Sequence, residues 1–175
     1  MQDLMPQVGP LIPALRRYAR ALLHDRAAAD DLVQDCLERV VGHWHQRRPD
    51  GAVRAWVFAI LHNLAMNRLQ QSRRRGLHLA LEDADEAAVV SPPAQEHALR
   101  HGELLRALAT LPEEQRSVLL LVSVEDFSYA ETARALAIPL GTVMSRLARA
   151  RDKLQRAMDA ETPGVAPRPA LRRIK

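Results

Sequence analysis

The sequence predicts an all-α protein of two small helical domains joined by a flexible linker, the C-terminal one containing a helix-turn-helix. Three observations carry this. Alanine, leucine and arginine are abundant and glycine is sparse, a balance that favours helix. Apolar residues recur at helical spacing in several separate segments. Between residues 76 and 98 that periodicity stops, and an acidic stretch (Glu82, Asp83, Asp85, Glu86) and the breaker Ser91-Pro92-Pro93 take its place, as in a linker. A chain of 175 residues holds one ordinary domain or two small ones. Only 3% of its residues are aromatic, so the core must be aliphatic. The net charge of +4 favours a polyanionic partner. Cys36 is the single cysteine and cannot form an internal disulfide, and no secretory signal or apolar run of membrane-spanning length is present. A cytoplasmic protein with no membrane insertion is expected.

The first thirteen residues carry prolines at positions 6, 10 and 13, so regular structure is predicted to begin near Leu11 or Ala14. From there Leu15, Tyr18, Ala19 and Leu22 mark one side of an amphipathic helix that His24 and Asp25 interrupt. A second helix follows over RAAADDLVQDCLERVVGHW. It buries Leu32, Val33, Cys36, Leu37 and Val40 and turns Asp30, Asp31, Gln34, Asp35 and Glu38 to other faces. An acidic ridge repels nucleic-acid phosphates, so it suits a basic protein surface; a plain solvated face is the alternative. Pro49 and the Asp50-Gly51 pair make a turn. The next segment, AVRAWVFAILHNLAMNRLQQSRRR, places Trp56, Ile60, Leu64 and Met66 or Asn67 on an apolar stripe and ends on Arg73, Arg74 and Arg75. Within it Asn63 and Asn67 lie one helical turn apart, beside Arg68. Amides suit base edges and arginines suit phosphates, whereas helix capping and surface polarity explain the same residues equally well.

After the linker, ALRHGELLRALATL is helical despite Gly102, and Pro112 with Glu113 and Glu114 opens another helix whose run RSVLLLVSVED is apolar enough for the centre of a bundle. Phe127 before Ser128 suggests a hydrophobic staple, and Ser128 with Glu131 forms a capping-box pattern. The helix beginning at Tyr129 is predicted to bury Ala133, Leu136 and Ala137. Ile138-Pro139 breaks it. On the following helix Val143, Leu147, Ala150 and Leu154 share a stripe from which Ser145, Arg146, Arg149, Asp152 and Arg156 fall away, and Gly141 leaves room for close approach. This is a DNA-reading unit or, on pattern alone, a charged helical hairpin of any bundle. The proline-broken basic tail after Glu161 adds nonspecific attraction for nucleic acid. The seven histidines are scattered and no phosphate-binding glycine loop occurs, so no catalytic centre, metal or cofactor is expected.

Taken in order, DDLVQDCLERV, RAWVFAILHNLAMNRLQQSRRR and LPEEQRSVLLLVSVEDFSYAETARALAIPLGTVMSRLARARDKL resemble the extracytoplasmic-function (ECF) group of the sigma-70 family of RNA polymerase sigma factors over most of residues 11 to 158. The resemblance implies a region 2 domain at 11–75, a linker at 76–98, a region 4 domain at 99–160 and a basic tail at 161–175. It further implies that Asp30, Asp31, Gln34 and Asp35 dock on the clamp helices of the largest subunit of core RNA polymerase, alongside other core surfaces. Trp56, Asn63, Asn67, Arg68, Arg73, Arg74 and Arg75 would engage the promoter −10 element. Thr142, Met144, Ser145, Arg146 and Arg149 would engage the −35 element, with Arg151 on a phosphate. Met144 and Ala148 depart from the basic or larger residues that family members often carry there. An anti-sigma factor is implied as a further partner. Opening about ten base pairs costs on the order of 14 kcal/mol at about 1.4 kcal/mol per step, more than one small module supplies, so the chain must act with the polymerase. An autonomous helix-turn-helix regulator and an interaction adaptor that sequesters a regulator are the other two hypotheses.

Overall fold

The computed structural model describes residues 3–47, 52–74, 76, 102 and 104–161, and every regular element among them is helical. The helices are α1 (Leu4–Val8), α2 (Ile12–Leu23), α3 (Arg26–His43), α4 (Val53–Arg74), α5 (residues 104–109), α6 (Glu113–Ser123), α7 (Tyr129–Leu136) and α8 (Leu140–Glu161). The linker, apart from Gly76, and the basic tail after Glu161 lie outside the described residues, as does Arg75.

Structure begins earlier than the prolines suggest. α1 starts at Leu4, and a single 3-10 turn over Gly9–Leu11 leads directly into α2. Pro10 and Pro13 occupy first-turn positions of their elements, where a proline gives up a donor that has no intrahelical partner. Leu4 and Val8 then reach the core. α2 ends at His24 in the left-handed conformation (φ 55°), and Asp25 caps α3 by accepting from the Ala28 N–H at 2.9 Å. The capping box at α7 forms as predicted: the Glu131 N–H donates to Ser128 Oγ (3.2 Å) and the Ser128 N–H to Glu131 Oε2 (2.9 Å). The Ser128 hydroxyl also donates to Glu131 Oε2 at 2.7 Å, and that bond, then the Ser128 N–H, holds the Glu131 carboxyl below its ordinary range.

α2, α3 and α4 pack on one another in the N-terminal half, and α6, α7 and α8 in the C-terminal half. The halves also pack together, α4 against α7 and α2 against α6, so that residues of both contribute to one buried cluster. This shared core shifts several expected stripes. α4 buries Ala55, Val57, Phe58, Leu61, Leu64 and Ala65, while Trp56, Ile60 and Met66 are only half-buried and Asn67 is exposed. α7 buries Thr132 and Ala135 in place of Ala133 and Leu136, which are half-buried, and Ala137 is an exposed left-handed residue (φ 53°) closing the helix. Small residues face inward because α7 is wedged between α4 and α8. The Phe127 ring meets Phe58 across the halves in an edge-to-face contact at 5.1 Å, a use that its place before Ser128 does not suggest.

Candidate polymerase and promoter interfaces

Three surfaces hold the sequence-predicted residues. On α3, Asp31, Gln34 and Asp35 are exposed and Asp30 is half-buried. The ridge is partly neutralised from within: Asp30 accepts from Arg20 (3.2 Å) and lies 3.6 Å from Arg16, and Asp31 is 3.9 Å from Arg68. Gln34 donates to Glu38 at 3.2 Å. Asp35 has no ion pair within the chain among those described and presents its charge outward. Cys36, on the opposite face, is buried and its thiol is pushed up to about 12 by that burial, so it is chemically quiet.

On α4, Asn63, Asn67 and Arg74 are exposed. Arg68 instead donates to the Ala28 carbonyl at 2.8 Å, tying α4 to α3, and Arg73 pairs with Glu113 at the start of α6. Trp56 is half-buried, edge-on to Trp44 with ring centroids 6.1 Å apart, whereas Phe58 is fully buried core. On α8, Met144, Ser145, Arg149 and Arg151 face solvent, and Thr142 and Arg146 are half-buried. Pro139 starts this helix, its carbonyl accepting from Thr142 (2.9 Å) and Val143 (3.2 Å) N–H groups, while Val143, Leu147 and Ala150 anchor it. A Cβ on Gly141 would meet nothing within 4 Å, so the fold itself leaves this spot open. The arrangement can present arginine and small polar side chains along one helix to a groove, as an arginine-bearing recognition helix requires.

Between these surfaces lies a seam that sequence reasoning missed. Arg116 of α6 is buried without a carboxylate partner. It donates instead to the carbonyls of Leu108 (2.8 Å), Ala109 (2.9 Å), Leu111 (2.8 Å) and Leu22 (3.0 Å), and to His24 Nε2 (2.7 Å). These acceptors cluster at the C-terminal ends of α5 and α2, where the helix dipoles favour a cation. Burial, and then the Arg116 charge, lower the His24 pKa to about 4, and a neutral imidazole is what an acceptor at Nε2 must be. On the other side, buried Glu125 accepts a bidentate fork from Arg17 (2.9 and 2.8 Å), and Arg54 donates to its carbonyl oxygen and stacks over Phe127, 4.4 Å from the ring centroid. Tyr18 joins the same seam, its hydroxyl 3.1 Å from His62 Nδ1. His62 is lowered to about 4 by burial and then by the Arg146 charge. The pairs that join the two halves lie 71 to 108 residues apart in sequence, beyond the reach of any local pattern. The one available signal is an acidic residue, Glu125, followed by Asp126-Phe127 directly after a long apolar run.

Residues 8–62 match the family described as the Sigma2 domain of PhyR, and residues 101–154 match Sigma-70, region 4. The ECF RNA polymerase sigma factor EcfG of Rhodopseudomonas palustris is 37% identical over 155 residues, covering 87% of this chain and 83% of that protein. The chain belongs to the ECF RNA polymerase sigma factors. A second relative of this sigma factor, SigM of Mycobacterium tuberculosis, is 36% identical over 86% of this chain and 74% of its own length. Among solved structures, the sigma factor RpoE in complex with the anti-sigma factor NepR from Bartonella quintana aligns with a TM-score of 0.75 and 28% identity, over 93% of this chain and all of that one. CnrH, solved with the cytosolic domain of CnrY, shares the fold at a TM-score of 0.68 and 24% identity, over 93% and 92% of the two chains. The N-terminal match excludes an autonomous helix-turn-helix regulator with an unrelated sensing half, and no described helix of this sigma factor is long and apolar enough to cross a membrane.

Proposed function

We propose that this sigma factor docks on core RNA polymerase through the outward side of α3, contacts the −10 element with the solvent face of α4 and the −35 element with the solvent face of α8, and does so in the cytoplasm. The single observation that supports this most is the separation of charge on one chain: an acidic helix with Asp31 and Asp35 exposed, and an arginine-bearing helix-turn-helix with Arg149 and Arg151 exposed. Opposite charges on different helices suit a protein that must hold a basic protein surface and a polyanion at once. Within each set the structure favours some residues over others. Gln34 and Asp35 are the freest docking groups; Asp30 and Asp31 would first exchange their arginine partners. Asn63, Asn67 and Arg74 are, among the described residues, the unpaired accessible −10 candidates, with half-buried Trp56 at their edge; Arg73 is exposed but paired with Glu113, and Arg68 is bonded to the Ala28 carbonyl. Arg75, outside the described residues, remains a −10 candidate by its place after Arg74. On α8 the accessible set is Met144, Ser145, Arg149 and Arg151.

An anti-sigma factor of the kind solved with RpoE is the partner expected to hold this chain inactive. The test is run-off transcription with core polymerase followed by mapping of the start sites. Promoter-specific starts should appear only with the sigma factor present. Arg149→Ala should reduce them about tenfold, the worth of one good arginine–base contact, while leaving polymerase binding intact. Reversal of Asp31 and Asp35 to lysine should abolish polymerase binding while a C-terminal footprint persists. A footprint by the protein alone with no transcript gained from polymerase would sink the reading.

A further inference from the structure

The solvent face of α8 is not uniformly polar. Its exposed residues fall in two rows that run side by side along the axis: Gly141, Ser145 and Arg149 in one, and Leu140, Met144 and Ala148, spaced four residues apart, in the other. Leu140 is 45% exposed and Met144 49%. Of the exposed large apolar side chains among the described residues, these two alone lie one turn apart on the same helix. The packing of α8 on α6 and α7 uses a different face, that of buried Val143, Leu147 and Ala150. The rim of the apolar row is cationic. Arg149 and Arg151 are exposed and Arg146 is half-buried, while the first acidic residue along the helix, Asp152, is paired with Arg156 at 2.7 Å.

We propose that Leu140, Met144 and Ala148 form an apolar reading edge that takes thymine C5-methyl groups in the −35 element, beside the hydrogen-bonding row that carries Ser145 and Arg149. The inference rests on the reading of α8 as the −35 helix and adds what part of the sequence it selects. In the major groove the thymine methyl is the one apolar group that a base pair presents, and aliphatic side chains are its chemical match. The flanking phosphates suit the arginine rim, which a purely apolar partner would leave unpaired. From residue 140 to 148 the row spans about 12 Å of helix axis. Laid along the groove, that length faces about three base steps of about 3.4 Å each, so more than one methyl can be covered. Cytosine lacks the methyl, so this row selects thymine over cytosine while the neighbouring row supplies the polar contacts.

The test removes the methyl and nothing else. Holoenzyme assembled from the full-length chain and core polymerase is bound to a promoter found by start-site mapping. Each thymine of the −35 element, on either strand, is replaced in turn by uracil, which keeps every hydrogen-bonding group. At least one replacement should weaken binding about fourfold, the worth of one buried methyl group. In Met144→Ala or Leu140→Ala the same replacement should cost nothing further, and Met144→Leu, which keeps an apolar side chain, should retain the effect. Both side chains are exposed, so neither alanine variant should alter folding. Uracil tolerated at every −35 position by wild type, or a uracil effect undiminished in both alanine variants, overturns the reading edge. So does a loss of binding to a protein partner in those variants with no uracil effect, which would mean that a protein covers the row. Absence of promoter-specific starts overturns the sigma-factor reading instead. The same replacements are then made in a duplex that the free full-length chain selects from a random pool, and selection of none, or tolerance of uracil throughout, overturns the reading edge as well.

Discussion

Arg116 and Arg149 are the same residue type on two helices of the C-terminal half, and they do opposite work. Arg116 is inside, its guanidinium shared among four carbonyls and an imidazole at the junction of the halves. Arg149 is outside on α8, held in place by the burial of its neighbours Leu147 and Ala150. The first spends its hydrogen bonds on the fold and the second leaves its own open to the surroundings. An arginine-rich composition therefore says nothing about which arginines read DNA until their partners are known.

The largest break in that comparison comes from removing the inner arginine. Arg116→Met leaves four buried carbonyls without their donor, so we expect a loss of about 3–5 kcal/mol in urea unfolding, close to the whole stability of a marginal domain. Arg149→Met should change stability by less than about 0.5 kcal/mol, while promoter affinity falls. Equal effects of the two on unfolding would remove the distinction. Glu125→Gln comes next. Its Arg17 partner is half-exposed, so screening limits the loss to about 1–2 kcal/mol, read from the same unfolding curves.

A titration probes the seam without mutating it. His24 faces Arg116, and His62 faces Tyr18 and Arg146; burial lowers both to about 4 from an unfolded value of 6.5. Between those values the unfolded chain binds protons that the folded one refuses. Stability is thus intact above about pH 6.5 and is lost progressively as the pH falls toward about 4. The urea midpoint should fall across that window, with a shallower slope in His62→Gln. A flat midpoint in wild type would mean that the histidines do not sit at a closed seam.

What the sequence made legible follows the range of the interaction. The Ser128–Glu131 box, the Ile138-Pro139 break and the Val143–Leu147–Ala150 stripe are written within a turn or two of chain, and each forms as read. The order of the acidic helix, the asparagine-arginine helix and the helix-turn-helix placed the chain in its family. Errors arise wherever the two halves touch. The offset stripe on α4, the small residues buried on α7 and the use of Phe127 across the seam all depend on a partner helix about 70 residues away, and helical periodicity records only that some face is buried. Arg68 was only half legible for a related reason. Its position beside two asparagines suggests DNA, and no local pattern shows that its guanidinium also reaches the Ala28 carbonyl of α3, 40 residues away.

The smallest effect separates demands of the fold from demands of a partner most finely. Gly141 is exposed near the start of α8, and an added Cβ would touch nothing in the protein. Glycine in a helix costs up to about 1 kcal/mol relative to alanine, so Gly141→Ala should stabilise the free chain by about 0.5 kcal/mol, less than the full amount because the position lies in the first turn. If the open space is kept for the DNA backbone or a groove wall, the same methyl group should weaken −35 binding severalfold in the polymerase complex, with the salt dependence of binding unchanged because no charge is altered. Stabilisation together with full promoter affinity would show that the glycine serves neither fold nor groove, and would move the close approach elsewhere on α8. A loss of stability would mean that α8 begins differently from the helix seen here, and the outward face assigned to Met144, Ser145 and Arg149 would have to be redrawn with it.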